Sequence, residues 1–275
     1  MLSKVAIYWS NKKAIWAKPW LGAIEVGFLR HGIKPELSNY RNVIECDLAV
    51  FWGHRPKHII NKQKGPGKDY LVMERGYIGD RFKWTSLGFN GLNGRGDFQI
   101  TDDMPSDRWD KYFGDQWLKP QRNNGEYILL IGQVAGDASV EHINFRNWAL
   151  EAAEKIKNHF DLRFRPHPID VKRNSDYKIP GTIHSVRSLE SDLKGAAAVI
   201  TFNSNTGVES VMAGVPTVAT DKGSMVYNLA TNTIEEPKIL SGRKQWAYDM
   251  AYKQWNLEEI KNGLAWEHLK QRFEK

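Results

Sequence analysis

Residues 196–220 read Ala196-Ala197-Ala198-Val199-Ile200-Thr201-Phe202-Asn203-Ser204-Asn205-Thr206-Gly207-Val208-Glu209-Ser210-Val211-Met212-Ala213-Gly214-Val215-Pro216-Thr217-Val218-Ala219-Thr220. Ala196 to Phe202 is a short apolar strand and Val215 to Thr220 another. Between them a helix starts near Thr206 and stops at Gly214, the residue type that ends helices most readily. Strand, helix and strand in close succession form a βαβ unit, and such units build a parallel sheet. The same grammar holds upstream. Tyr127 to Gly132 is a strand, Gln133 to Asp137 a loop, and Ser139 a candidate cap for a long helix. That helix carries Phe145, Trp148, Ala149, Ala152, Ile156 and Phe160 on one face. Leu162 to Arg165 then alternates as a strand entering Pro166-His167-Pro168. The second half of the chain is therefore a regular βαβ series.

The first half follows the pattern more loosely. Val5 to Trp9 reads as a strand. Pro19 opens a helical stretch with Trp20, Ile24, Phe28 and His31 at helical spacing, and Gly32 stops it. Asp47 to Trp52, ended by Gly53, and Tyr70 to Met73 are further apolar strands. Residues 76–98 are crowded with Gly76, Gly79, Gly88, Gly91, Gly94 and Gly96, so a long loop with little regular structure is expected there, of the kind that often carries function. Lys119 to Gly125, which includes Asn123, is polar and turn-rich and marks the expected domain boundary. Arg243 to Lys275 is helical in pattern and rich in Trp and Lys. There is no internal repeat and no low-complexity tract.

Composition limits the alternatives. The chain has 275 residues, 41% hydrophobic and 26% charged, which excludes disorder as the main state and leaves room for one large domain or two smaller ones. No apolar run approaches the ~18 residues of a membrane span. The first ten residues lack the long apolar region and small-residue cleavage site of a signal peptide. A single cysteine, Cys46, excludes an intrachain disulfide and a Cys-rich metal site, and a reducing, cytoplasm-like compartment is expected. The net charge of +7 fits a phosphate-bearing partner, either a nucleic acid or a nucleotide. There are 11 Trp, several beside cations, as in Lys18-Pro19-Trp20, Lys83-Trp84 and Lys244-Gln245-Trp246. Such pairs suit stacking on bases or sugars, although most Trp residues belong to cores.

Three segments carry candidate chemistry, and all fall at the same edge of one expected sheet. In Asn203 to Ser210, the backbone N–H groups at the helix start and the Ser204 and Thr206 hydroxyls would receive a phosphate, Gly207 would let it approach, and Glu209 would meet ribose hydroxyls. Arg165-Pro166-His167-Pro168 fixes an imidazole at a strand end, where open α/β sheets bind ligands. Gly132-Gln133-Val134-Ala135-Gly136-Asp137 follows another strand. A capped helix and an ordinary loop histidine are the plain alternatives for each segment alone.

Ile131-Gly132-Gln133 followed by Asp137, then Arg165-Pro166-His167-Pro168, then Asn203 through Pro216, in that order and spacing, resembles the C-terminal half of GT-B glycosyltransferases. The nearest patterns are the capsule-polysaccharide transferases and the bacterial sialyltransferases with a His-Pro motif. The resemblance covers residues 127–230. It implies an α/β fold of two Rossmann-like domains facing a cleft, the N-terminal one reduced because the chain is short. Residues 1–120 would be the acceptor side and 125–240 the nucleotide-sugar side, with helices in 241–275 packing back across the cleft. It implies a nucleotide sugar as donor and phosphate and ribose contacts from His167, Ser204, Thr206 and Glu209, with Gln133, Arg165, Asn205 and Gly207 in the same donor site.

An inverting transfer also needs a base for the acceptor proton. Glu74, at a strand end, is the first candidate and Asp80 the second. Lys222 is a further cation for the leaving phosphates. No metal is required if the donor site is cationic, and Asp102-Asp103 reads as a solvated loop. The compact, basic, Trp-rich build resembles, more loosely, small bacteriophage transferases that decorate DNA bases. That resemblance implies a hydroxymethylated base in duplex DNA as acceptor and the host cytoplasm as location. Arg81, Trp84, Asn90 and Arg95 would then hold the acceptor. The rival readings are a glycan transferase of capsule type, a non-catalytic nucleic-acid-binding protein and a nucleotide-sugar epimerase of the same fold.

Overall fold

A computed structural model describes residues 2–9, 15–122, 124–156, 161–174 and 177–274. Asn123, Phe160 and Lys275, named above, and the end of the N-terminal decapeptide lie outside the described residues. The elements in chain order are β1 (Val5–Trp9), α1 (Lys18–Arg30), β2 (Glu36–Asn39), β3 (Leu48–Trp52), α2 (Lys57–Lys62), β4 (Asp69–Arg75), β5 (Trp84–Phe89), α3 (Asp107–Tyr112), β6 (Tyr127–Ile131), α4 (Phe145–Ile156) and β7 (Leu162–Arg165). They continue with α5 (Pro168–Lys172), β8 (Ile183–His184), α6 (Leu189–Gly195), β9 (Ala196–Thr201), α7 (Thr206–Met212), β10 (Thr217–Ala219), α8 (Arg243–Tyr252), β11 (Gln254–Asn256), α9 (Leu257–Lys261) and α10 (Leu264–Leu269). The chain divides into two compact units, Met1–Arg108 with Tyr248–Lys275, and Trp109–Ala247.

The first unit holds a six-stranded sheet in the order β11-β5-β4-β3-β1-β2. β2, β1, β3 and β4 are parallel. β3 is apolar throughout and buried throughout, as a central parallel strand must be. α1 begins with Pro19 in its first turn and buries Trp20, Ile24 and Phe28 against the sheet. It ends at His31, and Gly32 (φ +74°) takes the left-handed conformation that terminates it. The reduction in this unit lies in its helices rather than its strands, since no helix is assigned between β2 and β3 and α2 has 6 residues. The end of the chain supplies the missing cover. α9 and α10 pack on α1, and a Cβ added at Gly27 would lie 2.4 Å from the Ile260 carbonyl oxygen. Arg108 anchors this return: it pairs with Glu259, donates to the Gln254 and Ala251 carbonyls at 2.9 Å each, and stacks 3.8 Å from the Trp255 ring.

Two expectations are corrected here. Residues 76–98 are not a long irregular loop: β5 runs antiparallel to β4. Close neighbours require glycine at two of these positions: a Cβ at Gly76 would sit 2.4 Å from the Trp84 Cβ, and one at Gly88 would sit 3.0 Å from the Phe98 ring. The turn that follows β4 is held by Gln254, whose Oε1 accepts from the N–H groups of Tyr77 (2.7 Å) and Ile78 (2.9 Å). Nor is 243–275 purely helical, because β11 pairs with β5 inside it.

The second unit is a five-stranded parallel sheet in the order β10-β9-β6-β7-β8. α4 starts at Phe145, with Asn147 N–H donating to Asn144 Oδ1 at 3.2 Å. Ser139 is therefore not its cap; its own N–H and hydroxyl donate to Asp137 Oδ1 (3.1 and 3.0 Å) and close the preceding turn. The division between units falls after residue 108 rather than near 120. Lys119 N–H donates to the Met212 carbonyl (2.8 Å), and Arg243 donates to the carbonyls of Val211 (2.6 Å) and Lys119 (2.9 Å), tying the approach segment into this unit.

Candidate functional site

In the second unit the strand order reverses between β6, the first strand of the unit, and β9. Open parallel sheets bind ligands outside their carboxyl ends at such a reversal. The loops after β6 and β9 are bridged there. Gln133 Nε2 donates to Asn203 Oδ1 at 2.8 Å, and Asn203 N–H donates back to Gln133 Oε1 at 3.1 Å. Asn203 Nδ2 also donates to the Ser139 carbonyl (2.8 Å) and to Asp221 Oδ1 (2.7 Å). Asp221, at the end of β10, accepts Gly223 N–H at 2.9 Å and faces His142 Nε2 at 3.5 Å. Gln133, Asn203 and Asp221 are buried. A buried polar network satisfied this way fixes three loop ends in one geometry.

His167 caps α5, its Nδ1 accepting Ile169 N–H at 3.1 Å. An Nδ1 that accepts puts the ring proton of the neutral imidazole on Nε2, which makes that nitrogen a donor. Arg165 points into the unit's own frame, donating to Asp192 Oδ2 (2.8 Å) and the Arg187 carbonyl (2.6 Å). Asp192 is fully buried and also accepts from the Ser185 hydroxyl. The start of α7 differs from expectation. Thr206 N–H donates to Ser204 Oγ (3.2 Å), Gly207 N–H to the Ser204 carbonyl (3.0 Å) and Val208 N–H to the Asn205 carbonyl (2.8 Å), so the turn consumes its own backbone donors. What this turn presents is hydroxyls, on half-buried Ser204 and Thr206. Gly207 is buried; a Cβ there would meet Val226 Cγ2 at 3.1 Å and Thr201 Cγ2 at 3.3 Å, so packing demands the glycine. Asn205 is half-buried, and Glu209 and Lys222 are exposed.

In the first unit Glu74 lies near the carboxyl end of β4, its Oε1 accepting the Arg75 N–H at 2.9 Å. Asp80 is exposed and caps a turn, accepting Phe82 N–H at 3.0 Å with Lys83 at 4.0 Å. Arg81 Nε donates to the Gly76 carbonyl at 3.0 Å. Trp84 opens β5 opposite Asn256, and Arg95 is exposed on a short helical turn. Asn90 (φ 58°) accepts Tyr70 N–H on Oδ1 (3.0 Å), bonds Asp69, and accepts the Tyr70 hydroxyl on its carbonyl (2.7 Å). Arg81 and Asn90 are thus partly committed within the unit. Burial lowers the Arg75 guanidinium from its ordinary value, Glu74 opposes this and Arg81 adds to it.

Among the described residues no group of three or more His, Cys, Asp or Glu is arranged to hold a metal ion, and no helix is long and apolar enough to cross a membrane. In the sequence Asn203 stood only as the first residue of the 203–210 segment, without a role, and Asp221 and His142 were not singled out. The signal was present in part: Asn203 and Asp221 each follow an apolar strand, and Asp221-Lys222-Gly223 has the spacing of an Asx turn.

No protein-family model matches the chain, and no curated protein matches it. Solved structures do. The KpsC beta Kdo 2,4 transferase of Thermosulfurimonas dismutans is 15% identical, with 96% of this chain and 98% of that one covered and a TM-score of 0.59. The KpsC beta Kdo 2,7 transferase of the same organism is 16% identical, with 99% and 100% covered and a TM-score of 0.53. At these identities the likeness is one of fold: a mixed α/β chain with two parallel-strand sheets, similar to glycosyltransferases of GT-B type.

Proposed function

We propose that this chain is a glycosyltransferase that moves a sugar from a nucleotide-sugar donor, bound by the second unit, to a hydroxyl of a glycan acceptor bound by the first. The observation that carries the reading is the strand-order reversal between β6 and β9, where loops bridged through Gln133 and Asn203 lie beside the His167 loop. The full-length likeness in fold to two Kdo transferases supports it. His167 Nε2–H and the Ser204 and Thr206 hydroxyls would donate to the donor phosphates, and Glu209 would accept ribose hydroxyls. Stabilising the charge that develops on the leaving phosphate is the main catalytic task. Gln133, Asn203 and Arg165 serve by holding the loops. Glu74 would take the acceptor proton; Asp80 is the second candidate.

The acceptor assigned is a glycan rather than duplex DNA, because the neighbours in fold are Kdo transferases and Asn90, one of the residues offered for DNA, is spent on Tyr70 and Asp69. A panel of nucleotide sugars, headed by a Kdo donor, tests the donor reading by thermal shift: saturation at 100 times Kd stabilises by ~2.7 kcal/mol. No shift with any member refutes it. Salt-sensitive gel shift and transfer on hydroxymethylated duplex DNA would overturn the glycan assignment.

A further inference from the structure

Arg75 closes β4, next to Glu74 in the chain. Its guanidinium carbon lies 4.4 Å from the centroid of one Trp16 ring and 4.1 Å from the Phe82 ring. Trp16 is itself braced edge-on by Trp52, ring centroids 4.7 Å apart. Both rings against Arg75 are surface rings, Trp16 at 44% and Phe82 at 70% exposure. Single exposed aromatics are ordinary. Two of them packed on one guanidinium are not, because they orient its plane and strip water from its faces. The guanidinium makes no hydrogen bond and no ion pair with any described residue. Glu74 and Asp80 place two carboxylates in electrostatic reach of this guanidinium, and Arg81, anchored on the Gly76 carbonyl, adds a second positive charge. Asp80 is engaged by Phe82 N–H and Lys83. An oriented, partly desolvated guanidinium whose fork of N–H donors is unused among the described residues matches a planar or tetrahedral oxyanion.

We propose that Arg75, stacked against Trp16 and Phe82, is a specificity subsite for an anionic group, a carboxylate or a phosphate, on the acceptor glycan. This rests on the glycosyltransferase reading. The donor N–H groups lie in the guanidinium plane, so the anion enters at the edge left open by the rings. Trp16 and Phe82 fix that edge in direction.

The test is calorimetry on the full chain with three saccharides: a glucuronate-containing tetrasaccharide, its carboxyl-reduced counterpart, and that neutral form carrying one phosphate monoester. The parent is expected to bind at least one anionic form on the order of tenfold or more tighter than the neutral one; which form is preferred tells carboxylate from phosphate. Arg75→Gln should erase the preference, and Arg75→Lys should restore only part of it, since an ammonium has charge without the planar fork. Phe82→Ala, at an exposed ring, should reduce the preference with the melting temperature unchanged. Equal binding of neutral and anionic forms, or a preference that survives Arg75→Gln, overturns the proposal. Failure of all three saccharides while a nucleotide sugar binds also overturns it and leaves the donor reading standing. Failure of saccharides and nucleotide sugars alike overturns both.

Discussion

Asn203→Ala removes three side-chain hydrogen bonds from one buried position: those with Gln133 Nε2, the Ser139 carbonyl and Asp221 Oδ1. The bond to the carboxylate is worth about 1.5–3 kcal/mol, and each neutral one about 1 kcal/mol. Asp221 keeps Gly223 N–H, and Gln133 keeps the backbone N–H of residue 203, so neither is stripped completely. The expected loss is ~3–5 kcal/mol, a fall in melting temperature of roughly 6–20 °C at about 2–4 °C per kcal/mol. Urea denaturation followed by circular dichroism and tryptophan fluorescence measures it. Asn203→Asp is the sharper variant, because it sets a second carboxylate against Asp221. Its stability at neutral pH should be lower still and should recover partly as the pH falls and the pair shares a proton. Nucleotide affinity should fall in both variants, since the network fixes the loops. A loss below ~1 kcal/mol in the alanine variant, with affinity kept, would refute the view that Asn203 holds the site together.

Three further outcomes are expected. His167→Ala should weaken nucleotide binding in calorimetry and cost about 1 kcal/mol of stability through the lost cap on α5, with the fold retained; unchanged affinity moves the phosphate contact elsewhere. Glu74→Gln should lower turnover about 10²–10⁴-fold with donor affinity kept, and near-parental turnover would pass the base role to Asp80. Burial holds the His268 imidazole below its ordinary value, against the hydrogen bond to the Phe98 carbonyl (2.8 Å), which favours protonation, while Arg108 lowers it further. The unfolded chain therefore takes up this proton first as pH falls through ~6.5, so the stability His268 contributes is complete above that value and is lost below it. Urea midpoints at pH 7.5 and 5.5 should differ less in His268→Gln than in the parent, and equal differences would contradict the assignment.

β1, β3, β4, β6, β7, β9 and β10 were legible as short β-rich runs, and their carboxyl-end loops followed from the βαβ grammar; β2, a polar and largely exposed Glu-Leu-Ser-Asn, and the two-residue β8 left no such signal. β5 was hidden by its glycines. Gly76 and Gly88 read as loop punctuation, yet they lie where Trp84 and Phe98 come within 3.0 Å of where a Cβ would stand. β11 was hidden by length, since Gln254–Asn256 is 3 residues among helical periodicities. The positions of His167 and Ser204 on strand-end loops and of Thr206 at the start of α7 were legible. Its scaffold was not, because the partnership of Gln133, Asn203 and Asp221 is tertiary and leaves no periodic trace. The backbone donors of Thr206, Gly207 and Val208 are spent for a local reason: Ser and Asn carbonyls and hydroxyls close the turn on itself.

The return of residues 248–275 to the first unit has a bearing on the order of synthesis. The second unit is one continuous run of chain, whereas the first needs its last strand and helices to cover α1 and to pair with β5. On the ribosome the first unit emerges early and waits with its β5 edge unpaired and the apolar face of α1 uncovered, while the second unit emerges whole and folds. Closure comes only after β11 and α9 leave the exit tunnel, so the first unit completes its fold after the second has emerged, through contacts of large sequence separation, the slow kind. Nascent chains stalled before residue 254 should therefore be captured by chaperones through the first unit, and release should coincide with the arrival of Trp255 and Ile260, which are part of its core.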